Sequence, residues 1–244
     1  MESIEEDTRS VQDGTSKSEE KGVNSLVGQR FGTVKYRNQI HESFITVTCG
    51  NPVLRSWSEE PFTLKRLAVQ KYITVPNSCL CERAYYVVIV HVQANDLKTR
   101  QEWRNTYGRL QNEFNFALIF VTGTAGTQSS NDVLKYEASM YRDILQVDTI
   151  DTYRNLVLKN VAALRYIAAA CTNVQAVVKV DDNVAWNIEM SKTVIHAAIQ
   201  DEKIYCRWSS PKNKPSHCLG IAYVLPRTAV LRMLNVISEE QVYG

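Results

Sequence analysis

The run Tyr85–Val92 is apolar almost without a break and stops at Asn95 and Asp96. A strand covered on both faces reads this way, as a continuous apolar segment, so the run predicts a central parallel strand. Leu97–Tyr107 then predicts a helix closed by Gly108. Phe114–Val121 predicts a second buried strand, stopped by the loop Thr122–Gly126. Leu134, Ala138, Tyr141 and Leu145 recur at spacings of four, three and four, which marks one helical stripe. A brief edge strand over Gln146–Ile150 leads into a longer helix, Thr152–Cys171. Its apolar stripe is Val157, Val161, Leu164, Ala168 and Cys171, with Arg154, Lys159 and Arg165 mostly on other faces. After the strand Val177–Val180 come a helix over Val184–Gln200, a strand over Ile204–Trp208 and a Pro/Lys-rich loop over Ser209–His217. Leu219–Leu225 predicts the last strand, and Pro226 starts a helix over Arg227–Glu239. Strands alternating with helices imply an α/β fold, a parallel or mixed sheet with helices on both faces.

Residues 1–38 are rich in Glu, Asp, Ser, Lys and Gly and hold few apolar side chains. Such a segment cannot bury enough surface to offset its ordering entropy, so it is expected to be a disordered acidic tail. Residues 39–80 read as a stem or lead-in, with Phe44–Cys49 a possible strand and Phe62–Val69 a short helix. The domain proper spans 81–244. Apolar residues make up 44% of the 244-residue chain, enough for a real core. A net charge of +2 proposes neither nucleic acid nor an anionic membrane as partner. The chain has no apolar run of membrane-spanning length and no secretory signal at its start.

The chemistry gathers at Val177-Val178-Lys179-Val180-Asp181-Asp182-Asn183. Unpaired carboxylates cannot continue the burial of a valine-rich strand, so Asp181 and Asp182 belong at its mouth. Ligands of open α/β sheets bind at such carboxyl ends. Two carboxylates and an amide oxygen form a hard, all-oxygen set that suits Mg²⁺ or Mn²⁺ shared with substrate phosphates. A plainer reading also stands, in which Asp182 or Asn183 merely caps the next helix.

Other features are less specific. Arg100 and Arg104, at i and i+4, suit a diphosphate but equally suit a solvated helix face. Gly123-Thr124-Ala125-Gly126 lacks the spacing of a phosphate-binding loop and reads as a plain loop. His91, inside an apolar strand, reads as a satisfied core histidine, and the four scattered histidines show no zinc spacing. Six cysteines allow either disulfides or buried thiols.

Several blocks together resemble the β-1,3-glycosyltransferases of the galactosyltransferase family (family 31), including divergent nematode-type members. Arg100-x3-Arg104-x-Thr106-Tyr107-Gly108 is similar to the family's Arg-x3-Arg-x-Thr-Trp-Gly, and Phe120–Gly123 to its Phe-Leu-Leu-Gly. The most specific block is Glu137-x3-Tyr141-x-Asp143-Ile144-x3-Asp148-x2-Asp151-x-Tyr153-x-Asn155-Leu156-x2-Lys159. Lys179-Val180-Asp181-Asp182-Asn183-Val184-x2-Asn187 resembles Lys-x-Asp-Asp-Asp-Val-Phe-x-Asn, with Asn183 in the third Asp place. Cys218–Leu225 resembles the acceptor-side segment, with Leu219 for Ser and Ala222 for Gly.

The resemblance implies a GT-A (Rossmann-like) fold and inverting transfer of a hexose from a UDP-sugar donor to a glycan acceptor. It implies a Mn²⁺ or Mg²⁺ ion at Asp181, Asp182 and Asn183, with Arg100, Arg104, Asp181 and Asp182 at the donor. It also implies a Golgi type II membrane protein whose anchor is absent from this chain. The catalytic base belongs to an acidic block after the last helix and is expected beyond Gly244. The other expectation is a relative that kept the fold and lost the base, acting as a binding or chaperone-like domain.

Overall fold

A computed structural model describes residues 71–210, 212 and 216–239, with the strands of residues 32–38 and 41–47. Strands β1 (Gly32–Asn38) and β2 (His41–Val47) pair antiparallel. The expected tail and stem otherwise lie largely outside the described residues, as does the short helix expected over Phe62–Val69. Seven further strands form one sheet: β3 (Tyr72–Thr74), β4 (Tyr86–His91), β5 (Phe116–Thr124), β6 (Ile144–Ile150), β7 (Ala176–Asp181), β8 (Tyr205–Ser209) and β9 (His217–Pro226). Their order is β3-β6-β5-β4-β7-β9-β8. Strands β6, β5, β4 and β7 run parallel, β3 and β9 run antiparallel to their neighbours, and β8 is antiparallel to β9.

Six helices connect the strands: α1 (Leu97–Thr106), α2 (Gln111–Phe114), α3 (Gln128–Tyr141), α4 (Leu156–Ala170), α5 (Ile188–Asp201) and α6 (Arg227–Glu239). Alternate side chains of the central strands face opposite layers. Val87, Ile89, Ala117, Ile119 and Val177 pack under α4 and α6, with Leu164, Ile167 and Val230. Val88, Val90, Leu118, Phe120 and Val178 pack under the other helices, against Trp103, Leu134, Ile188 and Ile195. The result is the expected mixed α/β sheet, Rossmann-like and helix-covered on both faces.

Local chemistry sets the boundaries. Asp96 caps α1 by accepting the Thr99 N–H at 3.0 Å, and Thr127 caps α3 through the Ser130 N–H. Helix α3 ends at Arg142 in a left-handed conformation, φ 56°. The stripe predicted for that helix therefore breaks: Leu145 lies in β6, and Tyr141 is about half exposed. Gln146–Ile150 is no edge either, because β6 lies between β5 and β3. Strand β5 runs on through Gly123 and Thr124, where a loop was expected. A Cβ on Gly123 would stand 2.4 Å from the Thr149 carbonyl oxygen, so this close approach of β5 and β6 requires glycine. Helix α4 starts four residues later than predicted, after a 3₁₀ turn at Tyr153–Asn155; Lys159 and Arg165, expected on other faces than the apolar stripe, are buried on it, and Val157 of the expected stripe is about half exposed.

Disulfides join Cys81 to Cys171 and Cys206 to Cys218, and no cysteine among the described residues is free. Leu164, fully buried at the centre of α4, tests the layer under that helix. Leu164→Ala is expected to lower the unfolding free energy by about 2–5 kcal/mol, read from urea denaturation.

Candidate functional site

The parallel strands end together. In register, His91 of β4 stands beside Val121 of β5 on one side and Asp181 of β7 on the other. Strand alternation puts Lys179 and Asp181 on one side of β7, and Asp182 opens the turn that follows. The Lys179 ammonium, 3% exposed, donates to Asp181 Oδ1 and to the Gly220 carbonyl of β9. A buried cation needs such partners. Asp182 is half-buried and Asn183 exposed. Burial first, then the charges of Asp96 and Asp181, raise the Asp182 carboxyl above its ordinary value. The turn closes with the Val184 N–H on the Asp181 carbonyl at 3.2 Å.

The helix-cap reading of this turn does not hold. The cap of α5 is Asn187, whose Oδ1 accepts the Met190 N–H at 3.0 Å. Asp182 and Asn183 thus stand ahead of the helix, on a connection of their own.

Aromatic rings frame that connection. Trp103 of α1 donates its indole N–H to the Asp182 carbonyl at 2.9 Å. The Tyr107 hydroxyl accepts the Trp186 backbone N–H at 2.9 Å. The Tyr107 ring lies 4.6 Å from Trp103 and 5.5 Å from Trp186, and Trp186 meets Phe116 edge-on at 5.2 Å. The residue that departs from the family's Trp, Tyr107, thus gains a hydrogen bond to the segment after the acidic turn.

The two arginines are not open to a diphosphate. Arg100 is 1% exposed and donates to both Glu137 oxygens and to the Gln93 and Ala94 carbonyls. Arg104 grips Asp143 with two parallel bonds of 2.7 and 2.8 Å, reaches Glu137 at 2.7 Å and lies over the Tyr141 ring at 3.9 Å. Burial acts to lower the Arg104 guanidinium, but Asp143 and then Glu137 outweigh it and hold it above its ordinary value. Sequence spacing showed these arginines as a pair on one helix face; it did not show the carboxylates that close over them.

Asp151 is a second buried hub. One oxygen accepts the Ala94 and Gly123 N–H groups at 2.9 and 3.1 Å, and the other accepts Lys159 at 2.5 Å. It joins the ends of β4 and β5 to the start of α4. His91 is buried, as expected, but neither ring nitrogen meets a partner in full hydrogen-bond geometry. Burial, then Lys179 and Lys159, push its imidazole well below its ordinary value, so it is neutral. The resemblance had placed Asp151, Lys159 and Lys179 within motifs without giving them roles. For Lys159 and Lys179 the signal was a charged residue inside an otherwise apolar run; Asp151 stands in a polar stretch and gave none.

Among the described residues no group of three or more His, Cys, Asp and Glu side chains is placed to hold a metal alone. Asp181, Asp182 and Asn183 fit a cation only as a partial oxygen set completed by a phosphorylated ligand or water. The crowding of Asp96, Asp181 and Asp182 is what such a cation would relieve. Asp182→Asn is accordingly expected to raise the melting temperature slightly at neutral pH in metal-free buffer, read by scanning calorimetry. Arg100→Ala is expected to cost about 3–5 kcal/mol in urea unfolding, because it leaves Glu137 buried beside only one cation.

The family model described as Galactosyltransferase matches residues 98–214. Beta-1,3-galactosyltransferase 1 of Mus musculus and of Homo sapiens is each 28% identical over 120 residues, 48% of this chain and 36% of the relative. The UDP-GalNAc:beta-1,3-N-acetylgalactosaminyltransferase 1 of Homo sapiens is 24% identical over 188 residues, 66% of this chain and 57% of the relative. The matches thus span between about a third and three-fifths of those relatives' lengths. Among solved structures, the 4-diphosphocytidyl-2C-methyl-D-erythritol synthase of Anaerococcus prevotii aligns at a TM-score of 0.40 and 11% identity, over 68% of this chain and 80% of that one. This chain is thus similar, at low identity and over part of its length, to the β-1,3-glycosyltransferases of the galactosyltransferase family.

Proposed function

We propose that the chain belongs to a UDP-sugar-dependent hexosyltransferase that moves galactose or an N-acetylhexosamine onto a glycan hydroxyl in β-1,3 linkage, with inversion. The observation that supports this most is the acidic turn at the carboxyl end of β7, braced by Trp103, Tyr107 and Trp186. That is the end of an open α/β sheet at which ligands bind. Bound Mn²⁺ or Mg²⁺ would offset the charge that grows on the departing nucleotide diphosphate. Asp182 supplies a charged oxygen to that ion and Asn183 a neutral one. Lys179 holds Asp181 and offsets part of the negative charge gathered at the mouth. Arg100 and Arg104 serve the donor indirectly, by fixing α1 and hence Trp103. Inversion also needs a carboxylate to take the acceptor's proton; the resemblance assigns it to a block after α6.

The disulfides Cys81–Cys171 and Cys206–Cys218 favour an oxidising compartment. They support a Golgi lumenal domain of a type II membrane protein. No described helix is itself long and apolar enough to cross a membrane. One observation favours a second reading, a relative that binds nucleotide or glycan without turnover: Asn183 lacks the charge of the carboxylate in the family pattern.

Calorimetric titration of UDP with Mn²⁺ tests both readings. Binding is expected to need the metal, to be lost in Asp182→Ala and to tighten roughly tenfold in Asn183→Asp, since charge count sets affinity at oxygen sites. If no heat accompanies Mn²⁺ and UDP, the donor-site reading fails. In the full-length protein, binding without transfer from UDP-galactose or UDP-N-acetylgalactosamine to any β-galactoside or N-acetylhexosaminide acceptor selects the second reading.

A further inference from the structure

At the other end of the sheet, a wide, open cavity of about 570 Å³, lined almost wholly by exposed side chains, lies where β4, β5 and β7 begin. Its lining includes Glu82, Arg83, Tyr85, Asn115, Asn173 and Gln175. Gln175 and Asp182 are seven residues apart along an extended strand, roughly 23 Å. One small ligand cannot occupy this cavity and the acidic turn together.

The rim is built rather than incidental. The disulfide Cys81–Cys171 ties together the two segments that carry Glu82–Tyr85 and Asn173–Gln175. Each segment turns back at once on its cysteine, with the Ala84 N–H on the Cys81 carbonyl at 3.3 Å and the Val174 N–H on the Cys171 carbonyl at 3.2 Å. Asn115, held in a left-handed conformation, φ 53°, flanks Tyr85 on the side away from Gln175. The Gln175 amide donates to the Asn173 carbonyl at 2.9 Å. The Tyr85 ring is 38% exposed and lies 5.7 Å from the His196 ring of α5, which backs it.

The chemistry of the lining narrows the ligand. Each side-chain amide both donates and accepts, as a sugar hydroxyl does. A tyrosine ring offers a flat apolar face, with a polar tip, to the C–H face of a pyranose. Glu82 and Arg83 balance, so no single-sign field attracts a phosphate or a cation. Backbone is no bait for a peptide strand either. The Tyr85 N–H binds the Asn115 carbonyl at 2.7 Å, the Gln175 N–H binds the Tyr85 carbonyl at 2.9 Å, and the Arg227 N–H binds the Gln175 carbonyl at 2.8 Å. We infer that this cavity is a saccharide-binding site separate from the acidic turn, taking a neutral mono- or disaccharide unit of a glycan. It does not depend on the donor-site proposal.

Saturation-transfer NMR on the full chain tests the inference, using free galactose, N-acetylglucosamine and lactose in EDTA without nucleotide. At least one sugar is expected to give transfer signals. Its Kd is expected to rise about fivefold or more in Tyr85→Ala and in Asn173→Ala, and to stay unchanged in Asp182→Ala. Matching far- and near-ultraviolet circular dichroism establishes that each variant is folded. Asn173 is exposed, so Asn173→Ala decides alone if Tyr85→Ala does not fold. The inference is overturned if no sugar gives a signal. It is also overturned if binding persists in folded Asn173→Ala, or if Asp182→Ala abolishes it and so places the sugar at the catalytic end.

Discussion

Four charges buried between α1, α3 and the start of β6 hold this structure in the form its acidic turn requires. Arg100 and Arg104 face Glu137 and Asp143 with side chains 1–12% exposed. The group is neutral as a set, and each guanidinium is also hydrogen-bonded, which is the condition under which buried ions are tolerated. Its reach is longer than its contacts. Arg100 also takes the Gln93 and Ala94 carbonyls at the end of β4, so α1 is fixed to both the sheet and α3. Trp103 and Tyr107 ride on the same stretch, and they in turn hold the Asp182 carbonyl and the Trp186 N–H. The position of the acidic turn at the mouth of β7 thus depends on ion pairs that α1 makes with α3 and the start of β6.

The strand ends show a consistent division of labour. Carboxylates that build the scaffold are matched with cations: Glu137 and Asp143 with arginines, Asp151 with Lys159, Asp181 with Lys179. Asp182 has no such partner: burial, and then the like charges of Asp96 and Asp181, raise its carboxyl. Lys179 moderates the effect by drawing Asp181 toward Gly220 of β9, a strand that carries the segment resembling the family's acceptor side.

Much of this was readable from residue pattern. Continuous apolar runs identified β4, β5 and β7, because two-sided burial leaves no room for alternation. Pro226 placed the start of α6. The errors arose where local pattern competes with tertiary contact. Leu145 kept helical spacing, yet Arg142 had already ended the helix in a left-handed turn. Gly123 looked like punctuation, yet it permits two strands to touch. Arg100 and Arg104 looked solvent-facing or ligand-facing because their partners lie 33 to 39 residues on. The aromatic frame was invisible for the same reason: Trp103 and Tyr107 each meet their partner across 79 residues. Asp181 and Asp182 stood out in the sequence because abrupt loss of apolarity at a strand end has few structural explanations.

The cross-link Cys81–Cys171 closes a stretch of 90 residues that contains β4, α1, β5, α3, β6 and α4. Long closed loops restrict the unfolded chain most. Recombinant material made in a reducing bacterial cytosol would lack that restraint over half the sheet. Periplasmic or eukaryotic secretory expression is therefore the sound route to homogeneous protein, and thiol reductants belong out of every purification buffer.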